Sequence, residues 1–306
     1  MHKKIFLLLT ATMCCMGTYA QDTVRTKASP GKLTAVAGAH AVLWAGTYVA
    51  LDKAWYSGYP KSSFHFFNDN SEWNQVDKAG HVWTTYQVGR LSAEMWKWAG
   101  LPAHTSALLG GVSGLAYQSI IEIQDGFSAK WGFSWGDMAA NLAGASIFSL
   151  QELCWKEQRI QVKMSYWPYA YPGALKGRRD ELFGDRPAER ILKDYNSQTY
   201  WLSGNLKLFF PESRLPSWLN LSAGYAAGGM LGGMDNTWKD DSGGLHDRRD
   251  IARTRHFYLA PDIDLTGIPT RSRLLKGIFF ALNAIKFPAP TLELSGGRLK
   301  LRAIYF

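Results

Sequence analysis

The chain has 306 residues, 46% of them hydrophobic and 19% charged, with a formal net charge of +9 and three cysteines. One large or two modest domains fit that length. The positive balance suits anionic lipid head groups or lipopolysaccharide phosphates, and equally an ordinary basic surface, while so few cysteines exclude a metal site built on several thiolates.

Residues 1–20, MHKKIFLLLTATMCCMGTYA, place two lysines before an apolar run and end on small residues, the layout of a secretory signal peptide. The apolar stretch is too short to span a bilayer, and Thr18 with Ala20 fits cleavage before Gln21. The alternative is a lipoprotein signal using Cys14 or Cys15, but the residues ahead of them make a poor lipobox. Cleavage removes Lys3 and Lys4, lowering the charge from +9 to +7, and leaves Cys154 as the one cysteine, with no internal disulfide. An exported chain does not ordinarily meet nucleic acid, so none is expected as a partner.

Residues 32–51, KLTAVAGAHAVLWAGTYVAL, form an apolar run in which His40 alone could carry charge after Lys32. Residues 75–98 recur apolar at three and four spacing, predicting an amphipathic helix. Two further apolar runs follow at 105–121 and 138–150, so residues 21–160 read as a four-helix bundle. Gly110, Gly111, Gly114, Ala140, Ala143, Gly144 and Ala145 permit close helix contact, in a membrane or in a soluble core, and both readings stay open. Trp55, Tyr56, Tyr59, Phe64, Phe66 and Phe67 after the first helix, and Trp96, Trp98, Trp131 and Trp135 near other helix ends, suit an interfacial aromatic belt or ordinary packing.

Beyond residue 160 the pattern changes to aromatic-rich segments punctuated by glycine. Strands are predicted at 199–210, 218–230, 256–265, 290–294 and 298–306, with Leu299, Leu301, Ala303 and Tyr305 on one face of the last and Lys300 and Arg302 on the other. A helix over 273–286 interrupts them, the mixed-charge stretch 176–190 reads as a solvated loop, and the glycine-rich 224–234 reads as strand and turn without phosphate-loop spacing. The expected fold class is therefore α+β: the helical bundle, then a mostly antiparallel β-rich region over 161–306, either a partial sheet or a small barrel. A final strand closing on aromatic Phe306 is a feature shared with outer-membrane barrels.

Three motifs put ionisable residues into apolar surroundings: Asp77, Lys78 and His81; Glu122, Gln124 and Asp125; and Asp137 with Asn141. Asp77 and His81, and likewise Asp137 and Asn141, are four residues apart and share a helix face. Ser134 is placed to cap the last helix with Asp137 favourable to its dipole. Together with Tyr86, Gly126, Phe133 and Gly144, these residues resemble the YfiM-type family of predicted periplasmic lipoproteins, a domain of unknown function, over about 35–155. A weaker likeness is to VanZ-like membrane proteins. The resemblance implies an envelope location and a compact helical bundle and supplies no activity; without a lipobox, the family's lipid anchor is not expected here.

Several buried charges must pair or bind something. Three explanations are open for Asp77, Lys78, His81, Glu122, Asp125, Asp137 and Asn141: a structural network in which Lys78 pairs with Glu122 or Asp137; a metal or head-group site; and acid–base chemistry by Asp77, His81, Glu122, Asp125 and Asp137 on a lipid-linked or cell-wall substrate. A single histidine disfavours a tight transition-metal site, and no particular metal or cofactor is implied. The remaining histidines, His40, His65, His104, His246 and His256, read as satisfied core or surface residues. The expected setting is the periplasmic side of the envelope, associated with the outer membrane, with membrane lipid or lipopolysaccharide as partner.

Overall fold

A computed structural model describes residues 28–56, 59–240 and 242–306, so the signal peptide read over 1–20 lies outside the described residues. The chain divides into a helical unit, residues up to Asn68 with Thr84–Gln158, and a sheet unit, Asp69–Trp83 with Arg159–Phe306.

Pro30 at the first turn, where its missing N–H is harmless, opens α1, Pro30–Leu51. It is the one described helix long and apolar enough to cross a membrane, and only 11% of its apolar window is buried. Helix α2, Val76–Trp98, runs from the sheet unit into the helical unit, where Thr84–Trp98 meets α3, Ala103–Gly126, and α4, Trp135–Cys154. The glycines of α3 set how closely these helices approach. A Cβ at Gly114 would stand 2.5 Å from the Thr85 carbonyl oxygen, one at Gly110 would stand 2.5 Å from the Gly89 carbonyl oxygen, and one at Gly111 would strike Ser149 Oγ of α4. The four helices follow the predicted order, with α3 and α4 longer at both ends than the apolar runs alone indicate. Cys154 is disulfide-bonded, where a mature chain keeping that cysteine alone was expected to have no internal disulfide.

The sheet unit carries a six-stranded antiparallel sheet and no closed barrel, in the order β1 (Ile160–Tyr166), β2 (Gln198–Asn205), β3 (Leu219–Gly228), β6 (Thr254–Ile263), β7 (Ala289–Ser295), β8 (Arg298–Tyr305). A small hairpin, β4 (Thr237–Lys239) with β5 (Leu245–Asp247), lies in the β3–β6 connection. The segment 176–190, expected as a loop, instead forms α5, Lys176–Phe183, and α6, Pro187–Lys193, because buried Phe183 gives the charged stretch an apolar anchor. After β2 the chain makes one helical turn, α7, Leu206–Phe209, capped by Asn205, where extended strand was predicted. Helix α8, Arg273–Leu282, is shorter than predicted: Asn283 ends it, and Met164 of β1 bonds both Ala284 and Lys286 in a parallel bridge with Ile285.

Strand β8 corrects the predicted facing. A register shift against β7 between Ala289 and Thr291 turns Tyr305 away from Leu299 and Leu301. Its ring stacks on Tyr258 at 4.5 Å, on the face where Arg302 meets Glu293.

Candidate functional site

The predicted polar residues divide between the two units. In the helical unit, Ser134 caps α4 by accepting from the Asp137 backbone N–H at 3.1 Å, while the Ser134 N–H donates to Glu122 Oε2 at 3.3 Å. A carboxylate from the end of α3 thus faces the amino end of α4, where its charge complements the helix dipole. Asn141 Oδ1 accepts from Thr85 Oγ1 at 3.2 Å, tying α4 to α2. Asp125 accepts from Tyr56 at 2.7 Å; burial, and then the Asp125 charge, hold the Tyr56 hydroxyl well above the usual phenol range. Glu122, Asp137 and Asn141 are all buried.

In the sheet unit, Asp77 accepts from Tyr195 at 2.9 Å and from Lys78 at 3.2 Å, and lies 3.8 Å from His81 Nε2. Lys78 also pairs with Asp69 at 2.7 Å. The start of α2 is held in place from outside the helix: Trp73, Asn74 and Gln75 all take left-handed backbone angles, φ 48°, 49° and 62°. Three such residues in a row are strained, and the unit restrains them through Trp73 N–H to the Gly233 carbonyl, Tyr225 to the Asn74 carbonyl, and Arg255 to Gln75. Half-buried Glu72 just ahead is pushed upward by desolvation and then by Asp69 and Asp77.

Two polar groups in the sheet unit escape sequence reasoning. Lys163 of β1 and Asp262 of β6 form an ion pair at 2.9 Å with both side chains fully enclosed, and Asp262 also accepts from Ser203 at 2.6 Å. His256 Nδ1 donates to Glu293 Oε1 at 2.7 Å, its Nε2 lies 3.0 Å from Thr254 Oγ1, and Arg302 donates to the other Glu293 oxygen. The signal for the first was the alternation of Gln161, Lys163 and Ser165 with Ile160, Val162 and Met164. The second depends on the β6–β7 register, which no spacing in the chain encodes. The other histidines are engaged as expected: His40 shares 2.8 Å hydrogen bonds with Ser92 and with the Val36 carbonyl, and His246 meets Asp240 at 2.8 Å.

The helical unit also holds a cavity of about 260 Å³ near the end of α1, lined by Tyr48, Asp52, Tyr56, Tyr59, Lys61 and Gln124 among others. Gln124 is buried, and its side-chain oxygen has no hydrogen-bond partner.

Residues 65–152 match the model of the family described as predicted periplasmic lipoprotein (DUF2279), whose function is unknown. The match takes in every residue of the three motifs, is narrower than the 35–155 expected, and does not show the VanZ-like resemblance. It supports an exported protein. No curated protein and no solved structure matches the chain.

Proposed function

We propose that this is an exported envelope protein that works at a membrane, with membrane lipid or lipopolysaccharide as its partner and the outer membrane as its setting. The observation that carries the reading is the inverted polarity of the helical unit. Its enclosed side chains include His40, Gln118, Glu122, Asp137, Asn141 and Gln151, while Val42, Leu43, Leu108, Val112, Leu142 and Leu150 are more than half or about half exposed. Water penalises that distribution and hydrocarbon rewards it, since polar groups in a membrane protein face the bundle interior.

On this reading Asp77, Lys78, His81, Glu122, Asp125, Asp137 and Asn141 are structural pairings. Support comes from their bonds to the protein: a helix cap, an interhelix amide, and a carboxylate shared by tyrosine and lysine. The test is separation of inner and outer membranes followed by an alkaline wash. The expected result is chain retained in the outer-membrane fraction after the wash. Recovery in the soluble periplasm overturns the membrane reading, and recovery in the inner membrane overturns the outer-membrane part of it.

A second reading is a membrane-associated hydrolase or transferase acting on a lipid-linked or cell-wall substrate. It is favoured by the approach of Asp77 to His81, since a carboxylate beside an imidazole is how a general base is oriented.

A further inference from the structure

The sheet of the second unit is also inverted. Along β6, Tyr258, Ala260 and Asp262 are buried, whereas Phe257, Leu259 and Ile263 are exposed. Along β7, Thr291 and Glu293 are buried, whereas Leu292 and Leu294 are exposed. Strand β8 adds Leu299 at 69% and Leu301 at 75% exposure, each paired in register with an exposed leucine of β7. The register joins these positions into one apolar face, because Leu259 opposes Leu292 on β7 and Ala223 on β3. The opposite side holds the enclosed Lys163–Asp262 pair and buried Glu293, which partly buried His256 and exposed Arg302 engage. An ordinary one-sided sheet buries its apolar face and wets the other, and this one does the reverse.

The surroundings of the face say what covers it. At the end of β6, where Ile263 opposes Leu219 and Asp264 bonds the Trp218 carbonyl, Trp218 is exposed, and Phe210 beyond β2 is exposed as well. Helix α8 follows, with Leu274, Leu275, Ile278 and Leu282 exposed beside Arg271, Arg273 and Lys276. Aromatic and basic residues bordering an apolar surface match the head-group layer of an anionic membrane, and an amphipathic helix with basic residues lies in that plane. We infer that the outer face of this sheet, with α8, inserts into the acyl layer of an anionic lipid bilayer. The depth is one leaflet: among the described residues β8 ends the sheet, and an open backbone edge is not tolerated at the hydrocarbon centre.

The inference rests on the membrane reading and names the surface that serves it. Its test uses full-length protein with Cys14→Ser, Cys15→Ser and Cys154→Ser and an environment-sensitive dye on Leu259→Cys, on Leu294→Cys or, as control, on Thr237→Cys of the β4–β5 hairpin. Each is mixed with phosphatidylglycerol–phosphatidylethanolamine vesicles containing nitroxide-labelled acyl chains. The expected result is a blue shift and acyl-chain quenching at residues 259 and 294 and neither at 237, with Arg271→Glu plus Arg273→Glu weakening vesicle binding about tenfold or more. If the chain floats with vesicles while both outer-face dyes stay in water, this inference fails and the membrane reading stands. A chain that does not float defeats both. Dyes shielded before lipid is added point to a second copy on this face and overturn the inference.

Discussion

At the scale of single residues, the predicted polar positions are engaged by protein groups, and that engagement makes their roles testable. Asp77→Asn weakens its bonds to Lys78 and Tyr195, and His81→Ala removes the imidazole beside the same carboxylate; a structural role predicts about 1–3 kcal/mol lost for the former and lower abundance for both. Denaturant melts decide the matter, since an enzyme would keep its stability and lose only turnover. Glu293 yields a pH prediction. Burial pushes its carboxyl upward, but the hydrogen bonds from Arg302 and His256 overcome this and hold it below the usual glutamate range. A carboxyl depressed in the folded state contributes stability above its unfolded value and loses it as pH falls through the folded one. Denaturation followed from neutral to about pH 3 should show a falling limb that Glu293→Gln flattens.

At the scale of elements, periodicity located the four helices and five of the strands, because those segments carry a 3.6 or a 2.0 repeat long enough to read. It missed β1, whose enclosed lysine and glutamine look like solvent-facing residues until the sheet closes over them. It also missed the displacement of Tyr305, since a register shift leaves no mark on the strand that bears it. The small residues of α3 were legible as contact sites, and the structure shows what each one meets. Gly114→Leu should cost about 1–3 kcal/mol or more, because the new side chain meets backbone at Thr85 that cannot swing aside. Gly38→Ala on α1 is the control: nothing lies within 4 Å of its Cβ, and the better helix propensity should stabilise by about 0.5–1 kcal/mol. Thermal melts of the two variants in one detergent check both signs.

At the scale of the whole molecule, membrane fractionation is the measurement that matters, since polarity is inverted in both units and in two kinds of secondary structure. By itself the sequence determined the order of helices and then strands and which residues are charged within apolar runs, because these are properties of neighbours along the chain. Only the tertiary structure decided which side of each apolar element is covered. Leucines at alternate strand positions look the same whether they fill a core or face lipid, and what separates the two cases is whether their alternates, such as Lys163, Asp262 and Glu293, find partners on strands far away in sequence.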